Sequence, residues 1–548
     1  LPSVIQRGHL GNRTGGWGGL AVSEENFKDK NGLFNVSRRH FLAGASVLGG
    51  GAVLAPSLLR PALADDHMPK RGGTLKMAVG GGSSTNSFDP TTYDDFVMND
   101  IAFQYANRLT QANAKGVIVP DLAESWEATP DAKVWRFRLR KGVNFHNGKP
   151  LTAEDAVWSI NLHRGKESKS AAKALLTAVT NVKAEGKDVV VVELDGGNAD
   201  LPAIMADYHM MILPSDLPAD AGVGTGPFVK EMFEPGVRWA ATRNPDYWDG
   251  DRPYVDAVEL SVVNDPTARL AALRSGQAHM INRVDAKTIS LLKRDPNVQI
   301  LRSPAWAHYT LPMHCDKPPF DNHDLRMAMK YAYDREQMLT QILRGYGSLG
   351  NDTPIAPTNP YFNAEMPQRT YDPDKAAFHY KKSGHSGPLQ VHTSDAAFAG
   401  AIDAAVLFKE NAAKAGITVD VIRDPADGYW SDVWLKVPAC YVFWAGRPTP
   451  DMIFSTAYAK GAAWNEAKWD NAKFNELLVK ARAELDFDKR KAMYAEMQTL
   501  VNTDGGTIVP VFNDWLDAGT KAVKGFEPHP LFDFSGHKAA EKVWLDEG

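Results

Sequence analysis

From Asp65 to its end the chain runs roughly 480 residues without a Pro/Gly/Ser-rich linker, and this continuity limits its architecture more than any single motif. So long a stretch exceeds one core at about 100–200 residues per domain, so it divides into two or three. With no tether between them, those domains must share several chain crossings. The mature stretch also carries no internal repeat and no low-complexity run.

The elements inside it are mixed. Trp135, Phe137 and Leu139 alternate with Arg136, Arg138 and Arg140, a period of two that reads as a strand with one apolar face. Residues 182–185 and 189–194 flank Gly186-Lys187-Asp188 and read as a hairpin. Thr152 with Asp155 resembles a capping box ahead of a helix carrying Val157, Trp158 and Ile160. Asp265-Pro266, Asp334 with Gln337, and Asp372-Pro373 each start a helix, and Gly276, Gly345 and Gly384 close them. Later come a helix over 404–415, a strand over 417–422, a buried-type strand over 439–444, a helix over 487–501 and a strand over 508–512. Such blocks imply an α/β fold with a mixed sheet in each lobe.

The chain's beginning reads as an export signal. Ser37-Arg38-Arg39-His40-Phe41-Leu42 supplies an arginine pair, residues 41–59 are uncharged and apolar, and Ala62-Leu63-Ala64 is a small-x-small cleavage site. Together they read as a twin-arginine signal peptide over 37–64. Four glycines and a proline weaken the membrane-anchor reading of 41–59. No cysteine follows the cleavage site, so the expected product is soluble, unlipidated and periplasmic. Residues 1–36 read as a disordered extension and are set aside.

A formal charge of −5 leaves no basic footprint for nucleic acid. G-x-S-x-G, H-E-x-x-H, phosphate-loop and dinucleotide signatures are all missing, so no catalytic residues are assigned and an enzyme is not expected. His308, His314 and His323 lack metal-ligand spacing, and neither a metal site nor a cofactor is expected. Cys315 and Cys440 are equally consistent with a disulfide and with two free thiols. Gly80-Gly81-Gly82-Ser83-Ser84 reads as a flexible loop near a cleft.

Aromatic residues are the positive signal. Eight of them cluster late: Tyr429, Trp430, Trp434, Tyr441, Phe443, Trp444, Trp464 and Trp469. Most suit a core. Trp444 stands apart because it ends an apolar strand just before Gly446-Arg447, and strand ends facing a crevice are where open α/β sheets bind ligands.

Many ordered motifs then carry a resemblance. They are Pro120-Asp121-Leu122-Ala123-Glu124-Ser125-Trp126-Glu127, Phe145-His146-Asn147-Gly148, Leu151-Thr152-Ala153-Glu154-Asp155-Ala156-Val157 and Gly224-Thr225-Gly226-Pro227-Phe228. Arg243-Asn244-Pro245-Asp246-Tyr247-Trp248, Pro318-Pro319-Phe320-Asp321, Tyr333-Asp334-Arg335-Glu336 and Tyr371-Asp372-Pro373-Asp374-Lys375-Ala376 follow. In order and spacing the chain resembles the family 5 extracytoplasmic solute-binding proteins, the peptide- and nickel-binding subunits of ABC importers.

That resemblance implies a two-lobed periplasmic-binding-protein fold (type II, cluster C-like) with a hinge and a ligand cleft between the lobes. It places lobe I at 65–262 plus 508–548, with a subdomain inserted at about 105–230, and lobe II at 263–507. The hinge crossings are then expected near 260–264 and 507–510. It also implies a monomer that takes a small peptide or modified amino acid and docks on ABC permease subunits, with a metal chelate or other small solute as the alternative cargo.

One departure bears on the ligand. Peptide binders of the family carry an Asp after the late Trp to pair with the peptide's ammonium, whereas this chain has Arg447. A guanidinium fork suits a carboxylate or phosphate, so the expected ligand has an acidic group. Arg447 could instead pair with a neighbouring acid. The expected cleft residues are Trp444, Gly446 and Arg447, then Asp451, Tyr429 and Trp430, with Ser84 and Thr225 facing them from the first lobe.

Overall fold

A computed structural model describes residues 68–425 and 429–546, so the signal-like segment 37–64 and the extension 1–36 lie outside the described residues. Two lobes follow. The first is built on a seven-stranded mixed sheet. Its centre is Thr74–Val79, parallel to Ala257–Val262 on one side and to Met280–Ile281 on the other. Arg238–Arg243 and Phe228–Glu234 extend one edge, and Trp515–Thr520 and Val298–Ser303 the other, all antiparallel.

The second lobe is built on a smaller antiparallel sheet. His308–Pro312 pairs with Val442–Trp444 and, through His308, with Val511–Asn513, which pairs in turn with Gly347–Leu349. Leu389–Thr393 and Val419–Arg423 form a parallel pair beside it, joined by a bridge from His392 to Cys440.

The crossings lie elsewhere than the resemblance implies. Ala257–Val262 is an interior strand of the first sheet, and the chain returns to that sheet at Met280–Ile281 and Val298–Ser303. Only after Ser303 does it enter the second sheet, so 260–264 is no crossing and residues 263–303 belong to the first lobe. The return is later too, because Val511–Asn513 still pairs in the second sheet and Trp515–Thr520 is the first strand back. Residues 304–307 and Asp514 therefore make the two crossings. Arg302 ion-pairs with Asp514, and Asn513 N–H donates to Ala307 O at 3.1 Å, so the crossings are tied side by side.

Within the first lobe, a separate four-stranded sheet runs from Ala123–Ala128 through Val134–Leu139 and Val189–Leu194 to Val179–Glu185. Its core, from Leu109 to Ile212, falls inside the expected insertion. Here the period-two reading holds, with Trp135, Phe137 and Leu139 buried while Arg136 reaches Glu185 at 3.4 Å. Thr152 and Asp155 form the capping box of Ala153–Leu162. The Gly224-Thr225-Gly226 motif is explained by close approach: a Cβ on Gly226 would lie 2.4 Å from the Tyr105 carbonyl carbon. The strand expected over 508–512 is split into Thr507–Ile508 and Val511–Asn513, because Pro510 has no N–H to donate. Cys315 and Cys440 are free thiols. No helix among the described residues is long and apolar enough to cross a membrane.

Candidate functional site

A cavity of about 430 Å³ lies between the lobes. The second lobe contributes Phe443, Ala445, Gly446, Arg447, Pro448 and Met452 to its wall. These residues come from the end of Val442–Trp444 and the start of the helix Pro450–Ala457. Gly446 is required there, since a Cβ would sit 2.9 Å from the Cβ of Trp306. The first lobe supplies aromatic faces (Phe96, Phe103, Tyr208, Trp248, Trp515 and Phe532) and charged groups of both signs: Arg108, Arg252, Lys538 and Lys542 beside Asp94, Asp95, Asp207, Asp249, Glu527 and Glu541.

Of the eight expected ligand residues, the structure brings Gly446 and Arg447 to this cavity. Trp444 is turned away by one step of strand alternation: Phe443 faces the cavity, while the Trp444 indole is buried and donates to Glu466 Oε2 at 3.0 Å. Asp451 is buried against Arg482, whose Nε lies 3.0 Å from Oδ1, so it is committed to that pair and not open to an amine. Tyr429 is a core residue whose hydroxyl donates to Tyr441 O at 2.8 Å. Trp430 is 43% exposed and packs edge-on against Trp434 instead of lining the cavity. Thr225 is buried on Asn107, and Ser84 lies beside Gly236, in the turn that joins Phe228–Glu234 to Arg238–Arg243. Neither is part of the cavity wall.

Arg447 makes no hydrogen bond or ion pair with the described residues. It is felt electrostatically by Asp207, Tyr208 and His308. Burial pushes the Asp207 carboxyl up, but His209, bonded to it at 2.6 Å, and Arg447 outweigh burial and hold it below the usual carboxylate range. His308 is pulled down to about 4 by burial, so it is neutral at physiological pH.

Sequence reading missed Arg108, Asp207 and the C-terminal aromatic wall. Arg108 gave no motif signal, but Phe532, Ser535 and Gly536 sit in an aromatic- and Gly-bearing tail segment that could have drawn attention. Among the described residues one group of three potential metal ligands is close together: Asp100, Asp533 and His537, buried behind the cavity wall. His537 Nδ1 lies 2.8 Å from Asp100 Oδ1 and 3.3 Å from Asp533 Oδ1, so hydrogen bonding already occupies it.

Trp444, set apart as a cleft residue, instead joins Trp434 at the core of the second lobe. Trp434 Nε1 and Trp444 Nε1 donate to Glu466 Oε2, and Thr310 Oγ1 donates to Oε1 at 2.8 Å. Burial drives this carboxyl up to about 7 against those donors. The native state therefore keeps a proton that the unfolded chain releases near 4.5, and stability falls as pH rises from there to about 7. In Glu466→Gln the amide nitrogen donates to Thr310 and its oxygen accepts both indoles, so every partner survives. The variant is expected to match wild type in urea unfolding at pH 4.5 and to exceed it at pH 8 by up to about 3 kcal/mol. A wild type that remains the more stable at pH 8 would contradict this account.

Two lobes tied by paired crossings, with a polar and aromatic cavity between them, define a protein that encloses a small solute. Residues 117–466 match the family described as bacterial extracellular solute-binding proteins, family 5. The chain belongs to that family. The dipeptide-binding protein of Escherichia coli is 24% identical over 464 residues, 76% of this chain and 84% of its own. Among solved structures, the periplasmic binding protein DppA of Helicobacter pylori in complex with peptide STSA superposes with a TM-score of 0.71 at 23% identity, over 87% of this chain and 99% of that one. AgaA of A. tumefaciens R10 in complex with agropinic acid gives 0.72 at 22%, over 87% and 99%.

Proposed function

We propose that this protein is the periplasmic capture subunit of an ABC importer and that its solute is a small peptide or modified amino acid with an acidic group. The observation that carries the reading is Arg447, a guanidinium on the cavity wall with no protein acid bonded to it. A carboxylate taken from water into this cavity gains charge-assisted hydrogen bonds from that fork. Relatives named for a dipeptide, a peptide and agropinic acid fit such cargo. The solute touches both lobes only when they are closed, so binding favours the closed form, and that form docks on the permease subunits. Export by the twin-arginine route, release without a lipid anchor and action as a monomer complete the proposal.

The test is calorimetry of the acid that co-purifies with the protein, identified by mass spectrometry. Arg447→Ala is expected to weaken its binding by about 2–5 kcal/mol, the usual loss when one partner of a buried charge pair is truncated. Unchanged affinity would remove Arg447 from the site. Nickel or iron in stoichiometric amount would instead identify a chelate and overturn the peptide reading.

A further inference from the structure

We infer that the solute carries two acidic groups, and that Arg108 grips the second from the first lobe while Arg447 takes the first from the second lobe. This rests on the reading of Arg447 given above. Arg108 follows the helix Phe96–Tyr105, lines the cavity, and has a side chain only 2% exposed. Its guanidinium is stacked on Phe103, with Cζ 3.8 Å from the ring centroid, which fixes the plane in which it presents its donors.

The protein leaves most of those donors unused. Nε and Nη1 are buried and have no acceptor, and Nη2 reaches only Asp121, at 3.6 Å. Asp121 is committed elsewhere, accepting from the Arg108 backbone N–H and from Asn107 Nδ2, each at 3.2 Å. Glu541, a second acid felt by Arg108, lies 3.1 Å from Lys538 and 3.8 Å from Arg252. A buried guanidinium with two nitrogens unsatisfied is costly, and an acid seated against it from the cavity lowers that cost.

Two acids fit better than one shared between the arginines. Asp207 lies in the field of both Arg447 and Arg108 and is held ionised. A single carboxylate drawn to both arginines would be pressed against that like charge. Two acids, one at each arginine, each meet a counter-charge of their own and bridge the lobes.

The test is a thermal-shift and calorimetry panel of matched pairs: Ala-Glu against Ala-Gln, and glutarate against its monoamide. Wild type is expected to bind the diacid of a pair about 10- to 100-fold more tightly, the range for a hydrogen-bonded charge. Arg108→Gln is expected to lose that preference while retaining the monoacid's affinity. Arg108→Lys keeps a charge beside Asp121, guards against failure to fold, and is expected to keep only part of the preference. Binding without a diacid preference, or a preference that survives in both variants, overturns this inference alone. A panel in which no acid stabilises the wild type overturns it together with the reading of Arg447.

Discussion

Asp352→Asn is expected to cost about 3–5 kcal/mol of stability, a large share of the roughly 5–15 kcal/mol that holds a typical protein folded. Asp352 is fully buried in the second lobe, within a stretch from Gly350 to Tyr371 that has no helix or strand. Its carboxylate holds that stretch in place. Oδ1 accepts from Arg335 Nη2 at 2.5 Å and from Val509 N–H at 3.2 Å, and Oδ2 accepts from Arg369 Nε at 2.9 Å. An asparagine turns an NH2 toward one of these arginines and leaves both without a counter-charge. The loss arises less from a missing attraction than from buried charge left uncompensated.

Lys330 makes this loss depend on pH. Burial pulls it down to about 7, although Asp352 acts to raise it. Below that value the wild type gains from the Asp352–Lys330 attraction and the variant does not; well above it the amine is neutral in both. The gap between wild type and Asp352→Asn should therefore narrow from pH 6 to pH 9. Urea unfolding followed by tryptophan fluorescence measures it, and a loss below about 1 kcal/mol at pH 6 would refute the account.

Local structure was largely legible because it depends on neighbours in sequence. Asp265, Asp334 and Asp372 each accept the N–H three residues on, as expected of N-caps, and Gly384 takes the left-handed conformation after Pro373–Ser383. What failed depends on partners far along the chain. Whether 260–264 is a crossing turns on whether residues 280 and 298 rejoin the first sheet, and no local pattern reports that. Asp451 looked available because Arg482, its partner, is thirty-one residues away. Trp444 lies in the expected strand but one position off the cavity, because side chains alternate and Phe443 takes the cavity-facing place. Arg108 could not have been selected, since its distinction is a lack of acceptors in three dimensions.

The lobe contacts around Asp200 give the other large effect, and it acts on binding without touching the cavity. Asp200, in the inserted subdomain, accepts from Thr449 Oγ1 at 2.6 Å and ion-pairs with Arg490, both in the second lobe. Beside it, Ala199 N–H donates to Arg482 O at 2.7 Å, and Arg482 pairs with Asp451. Asp451 is raised chiefly by burial and further by Asp200, so the two carboxylates repel and depend on the two arginines between them. Arg490→Met removes half of that compensation in the closed form alone, because opening returns Asp200 to water. The closed fraction should fall, and apparent affinity falls in proportion to the competent fraction. For a loss of about 2–3 kcal/mol in closure, affinity for the acid that best stabilises wild type should drop by up to roughly 30- to 150-fold. Ligand-free protein should also scatter X-rays as a larger particle. Asp200→Asn in the same chain removes the stranded charge and should recover part of both effects. If Arg490→Met binds as wild type does, these contacts do not set the closing equilibrium, and closure must be governed by the solute and the two crossings at 304–307 and Asp514.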